Sequence, residues 1–365
     1  MLPSVRKSFN ITFIIIIILF FLNCYCSILF ADGRRSALNI SPILFYYPET
    51  RLGAGAALNF TFITGEGSQV PLSNLYSMLI YTQNRQFTGE LKYDHSWGSG
   101  RLISSIDVLF KEYPDKFYGI GNSTDAGDEE HYTHTYAQLR VGAQCRAAPH
   151  FYIGTGYELG FSKNRDLEEG GRLEIGLITG SGGGVDSGVG IFSFYDTRDS
   201  RFFPASGGRY GFSIWTFNHI LGSDYDFFRY SLDLRKYMSP LFKHVLAFQM
   251  YLSAMSGEVP FHRLSLLGGK NLLRGYYLGR YRDKNMLVFQ AEYRMPLIWR
   301  FGGVIFGGIG DVSDNLTSFT LQEFKYSVGG GLRLMLHSRE HINLRMDYAM
   351  GRESSGFYIA LFEAF

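Results

Sequence analysis

The segment INLRMDYAM, residues 342–350, sets Ile342, Leu344, Met346, Tyr348 and Met350 at alternate positions, with Asn343, Arg345, Asp347 and Ala349 between them. Successive side chains of a strand point to opposite faces, so this segment has one oily face and one charged face. Phe228–Tyr237 repeats the pattern, with Phe228, Tyr230, Leu232 and Leu234 opposing Arg229, Ser231, Asp233 and Arg235. Phe324–Leu336 and the run from Leu246 to Ser253 alternate in the same way. A soluble sheet alternates too, and length separates the two cases. These runs span about 9–13 residues, where soluble strands average about 5–6 and a tilted membrane strand needs about 9–11.

The expected fold is therefore all-β: a transmembrane antiparallel β-barrel with an apolar outer band and a polar, ion-paired lumen. Lipid offers the backbone no hydrogen-bond partners, so the sheet must close. About sixteen strands fit between residues 37 and 365, among them 101–112, 172–196, 286–298 and 357–365. An even count puts both barrel ends on the periplasmic side. The long connections 113–131, 255–285 and 314–323 then face outward, and turns such as Gly98–Gly100, Pro204–Gly208 and Ser239–Lys243 face the periplasm. Strand parity directs Arg229, Asp233, Arg235, Arg294, Arg345 and Asp347 into the lumen. Cys145 shares a face with Leu139, Val141 and Ala143 and is expected to meet lipid.

Residues 1–31 read as a secretory signal peptide: Arg6 and Lys7 precede the apolar run Ile11–Leu22. No second run reaches the roughly 18 apolar residues of a membrane helix. Residues 32–365 are expected to form one barrel domain with no soluble module. The leader removes two of 35 basic residues, leaving 33 Lys+Arg against 33 Asp+Glu. A chain so balanced has no basic excess for nucleic acid. Cys24 and Cys26 leave with the leader, so Cys145 has no partner for a disulfide. Neither a metal-ligand cluster nor a catalytic signature appears, and no cofactor is expected.

Three segments carry a family resemblance. LLGGKNLLRGYY, Leu266–Tyr277, lies in the long connection 255–285. It resembles the sixth-loop signature of the outer-membrane assembly-factor superfamily, the bacterial surface antigen barrels that include BamA/TamA-like proteins and two-partner secretion transporters. Arg274, Gly275 and Tyr276 match the Arg-Gly-aromatic core. YDTRDSRFFPASGGRYGFS, Tyr195–Ser213, is similar to the family's strand–turn–strand, and AEYRMPL, Ala291–Leu297, to its E-x-R-x-P strand. The resemblance implies a loop folded back into the lumen, its Arg274 held by acidic groups. Parity points Glu292 inward, and a guanidinium fork suits a carboxylate. The family's next strand carries F-x-D-x-G; here Gly308 stands at the Asp position, leaving Asp311 nearby as the second acidic candidate.

The segment GFYIALFEAF places Phe357, Ile359 and Leu361 in alternation before Phe365. This resembles the terminal strand by which outer-membrane barrels are handed to the assembly machinery. The resemblance as a whole implies protein insertion into, or transport across, the outer membrane. Its implied partners are outer-membrane lipid, the barrel-assembly machinery during biogenesis, and a separate periplasmic protein in place of the POTRA domains that this sequence is expected to lack. The competing readings are a passive small-solute channel or structural barrel, and a rim-sited lipid hydrolase.

Overall fold

The structure, a computed structural model, describes residues 30–32, 36–63, 72–97, 100–337 and 342–365. The expected leader lies outside the described residues except at its last two positions.

Sixteen long strands build the wall. They are β1 (Ser36–Tyr47), β2 (Arg51–Phe62), β3 (Ser73–Thr82), β4 (Phe87–Trp97), β5 (Leu102–Phe117), β6 (Glu130–Ala148), β7 (Phe151–Arg165) and β8 (Gly183–Asp196). The second half comprises β9 (Gly207–Phe217), β10 (Phe227–Met238), β11 (Val245–Gly257), β12 (Asn285–Pro296), β13 (Phe301–Ser313), β14 (Lys325–His337), β15 (Ile342–Gly351) and β16 (Ser354–Leu361). Each strand pairs antiparallel with its sequence neighbours, and β16 returns to β1, closing the barrel. The short segment Phe30–Asp32 pairs with the start of β1.

The two faces separate as the alternation requires. Phe228, Tyr230, Phe248, Ile305, Leu332 and Tyr348 are exposed on the outside, while Arg345 and Asp347 are buried within. Cys145 lies on the exposed face. Ladders differ greatly in extent. β5 and β6 stay in register from Leu102 opposite Cys145 to Phe117 opposite Glu130. β16 and β1 register at one pair among the described residues, Ile359 opposite Tyr46.

Three strands start or end clearly elsewhere than the sequence pattern suggested. The span 172–196 is strand only from Gly183; residues 172–182 form turns that bury Leu173 beside Phe117 and Phe261. β5 runs past 112 to Phe117 because Pro114 and Asp115 remain paired with Thr133 and Tyr132. The last strand is Ser354–Leu361, and Phe362 leaves it with φ of 66°.

The connection 258–284 between β11 and β12 does not lie outside the barrel. It enters the lumen, stiffened by a small ribbon in which Ser265–Leu267 pairs with Tyr281–Asp283. The side chains of Leu267, Leu273 and Tyr276 pack there against Met286, Val288 and Val312.

Candidate functional site

Arg274 is 2 % exposed and lies between two carboxylates, Glu292 on β12 and Asp347 on β15. One guanidinium nitrogen donates to Asp347 at 2.5 Å and the other to Glu292. The guanidinium plane sits 3.5 Å from the centre of the Phe306 ring, contributed by β13. Further cations surround the two acids: Arg294 donates to Glu292 at 2.8 Å, and Arg333 to Asp347 at 2.6 Å and to Glu363 at 2.7 Å. Arg345 lies 3.6 Å from Asp347. Several buried charges of one sign would repel strongly; interleaving them with carboxylates makes the burial tolerable.

The next two residues lock the loop backbone. Gly275 takes φ of 109°, where an L side chain is strained, and an added Cβ would meet the β15 backbone at 3.2 Å. Its N–H donates to the Tyr358 hydroxyl on β16 at 2.9 Å. The Tyr276 hydroxyl donates to the Tyr326 carbonyl at 2.9 Å and accepts from the Arg352 N–H at 2.7 Å. Its ring occupies the space a side chain at Gly351 would need. Loop, β14, β15 and β16 are thus fastened together.

A second anchor lies at the start of the same loop. Arg263 donates to Glu158 on β7 at 2.7 Å and to Asp186 on β8 at 2.9 Å, and His262 pairs with Asp186 at 2.9 Å. Glu158 also accepts from Arg140 and Arg229. Sequence reasoning placed Arg229 in the lumen but missed this anchor. The available signal was a carboxylate at an inward strand position, Glu158 or Asp186, without a cation beside it on its own strand. A third contact joins the loop to the β1–β2 turn: Leu278 N–H donates to Glu49 at 2.7 Å. Burial lifts the Glu49 carboxyl to about 7.

Among the other expected lumen charges, Asp233 pairs with Arg235 at 2.6 Å. Asp311 is not a partner of Arg274. It accepts from Asn122 at 2.9 Å. The β12–β13 ladder runs without a bulge, so Asp311 stays one residue out of phase with the lumen-facing Gly310. With glycine at 308, the second carboxylate comes from Asp347, two strands further on. Phe357, Ile359 and Leu361 alternate along β16, and Phe365 packs with Tyr237, Ala247 and Ala364. The arrangement clamps a loop; among the described residues no group of three or more metal-ligating side chains converges.

Comparison with known proteins bears on the fold and the family. The family described as the Omp85 superfamily domain matches residues 51–360. Among solved structures, BamA from Haemophilus ducreyi lacking POTRA domains 1-3 aligns with a TM-score of 0.63 at 15 % identity, covering 90 % of this chain and 71 % of that one. CdiB from Acinetobacter baumannii aligns at 0.56 and 13 % identity, covering 90 % of this chain and 60 % of that one. CdiB from Escherichia coli aligns at 0.60 and 11 %, covering 91 % and 63 %. The chain thus spans about three fifths of either CdiB. No curated protein matches by sequence. A matching domain over most of the chain and a shared sixteen-stranded barrel lead to one assignment: the chain belongs to the Omp85 superfamily.

Proposed function

We propose that this barrel resides in the outer membrane and inserts proteins into it, or moves them across it, by opening between β1 and β16. The observation that carries this reading is the seam itself. A closed sheet in lipid normally satisfies every backbone group through its ladders, yet among the described residues β16 and β1 register only at Ile359 and Tyr46. The loop bearing Arg274 is fastened to β15 and β16, the strands beside that seam. A client strand could pair with the exposed edge of β1 or β16, as edge strands do. In this reading lipid and the assembly machinery are partners, a separate periplasmic protein delivers clients, and Phe357, Ile359, Leu361 and Phe365 serve as the assembly signal.

The test is a seam lock. In a Cys145→Ser background, Tyr46→Cys and Ile359→Cys would be oxidised to a disulfide and the barrel reconstituted in liposomes. The reduced form should speed folding of a second outer-membrane barrel and the oxidised form should not. Equal rates for both forms, matching empty liposomes, would leave a passive channel as the better reading.

A further inference from the structure

The loop does not fill the lumen. Beside it remains a cavity of about 810 Å3 whose charged lining is Arg140, Arg209, Arg229, Arg263 and Asp107. The carboxylates that balance these arginines lie behind them. Glu158 accepts from Arg140 at 2.6 Å, Arg263 at 2.7 Å and Arg229 at 3.2 Å, and its side chain is 0 % exposed. Arg140 and Arg229, by contrast, keep 39 % and 19 % of their side chains exposed. Arg209 is 3.6 Å from Asp233 and 3.9 Å from Asp196, acids that already hold Arg235 and Arg198 more closely. A solute entering this space therefore meets guanidinium faces, with Asp107 as the one acid among the lining residues.

Spare donors remain. Arg140 uses Nε and one terminal nitrogen on Glu158, and Arg229 uses a single nitrogen. Both guanidiniums flank the Trp215 ring, at 5.4 and 5.6 Å from its centre. The remaining donors are fixed in place by the carboxylate and the ring, so little side-chain entropy is lost when they bind a ligand. Low-dielectric walls concentrate the field of such a cluster. The volume falls in the range of small-molecule sites.

We propose that this cavity binds a small oxyanion, a carboxylate or phosphate, held by Arg140, Arg209 and Arg229. The site is independent of the seam. In the full chain in detergent, Trp97→Phe with Trp299→Phe leaves Trp215 as the sole indole reporter; both replaced rings are exposed. Inorganic phosphate and citrate are then titrated at constant ionic strength made up with sodium chloride. The expected result is a saturating change in Trp215 emission that Arg140→Gln shifts to about tenfold higher concentration. Glu158 keeps Arg229 and Arg263 in that variant. Asp107→Asn, which removes the one opposing charge, should shift the titration several-fold lower. A response that never saturates, or one that neither variant moves, overturns the proposal.

Discussion

Arg294 joins two parts of the molecule that are far apart in sequence: it donates to Glu292 at 2.8 Å and to the backbone oxygen of Phe365 at 3.0 Å. The same guanidinium lies within 5.8 Å of the Phe203 ring and 5.7 Å of the Phe365 ring. The segment after β16 is thereby tied to the strand that receives the loop arginine. Arg294→Gln should free Phe365 while Arg333 still holds Glu363, and leave Glu292 with Arg274 as its close partner, costing about 3 kcal/mol. Thermal unfolding in detergent, followed by circular dichroism, should show a lower midpoint; an unchanged midpoint refutes the tie.

The two loop anchors share no partner residue, so their losses should add. Arg274→Ala leaves Glu292 and Asp347 short of a cation, and Arg263→Ala does the same to Glu158 and Asp186, each costing roughly 3–5 kcal/mol. Limited proteolysis should find residues 258–284 largely protected in either single variant and cleaved rapidly in the double. Rapid cleavage in Arg263→Ala alone would show that the Arg274 anchor cannot hold the loop.

Glu49 predicts a pH dependence. Its carboxyl titrates near 7 when folded, above its ordinary value of 4.5. Between those values the folded state holds the proton and the unfolded state has lost it. The contribution of Glu49 to stability is therefore greatest below about 4.5 and falls as pH rises through about 7, by at most about 3 kcal/mol. Glu49→Gln should flatten that part of the curve relative to wild type, as measured by denaturant unfolding from pH 4 to 8. Parallel curves for the two proteins would refute the assignment.

Hydrogen exchange should grade the wall by ladder extent. Amides of β16 and the facing edge of β1 should exchange at least tenfold faster than those of β5 and β6, whose register runs unbroken along β5. Uniform protection around the barrel would remove the basis for a weak seam.

Much of this architecture could be read in the sequence because lipid on one side and charge on the other impose a strict two-residue period. INLRMDYAM alone fixed which residues face inward, Asp347 among them. The second partner of Arg274 was harder. Parity puts Asp311 on the opposite face unless a bulge intervenes, and none does; it gives no height along the tilted wall that would single out Asp347, two strands away, which makes the contact. The segment 172–182 misled for a related reason: alternation persisted into a loop whose Leu173 is buried against other loops and strand ends. Likewise, nothing local in Phe261–Arg263 marks it as an anchor, because its partners Asp186 and Glu158 lie more than seventy positions earlier.

The loop's two anchors also have a mechanical meaning. Glu158 belongs to β7 and Asp347 to β15, strands half a circumference apart in a ring of sixteen. A segment fixed at both is a tie-rod across the bore. It resists a change of the bore along that diameter. Parting the wall beside β16 would put that rod under load, so force applied at the rim is felt on the far wall without any strand between them having to bend.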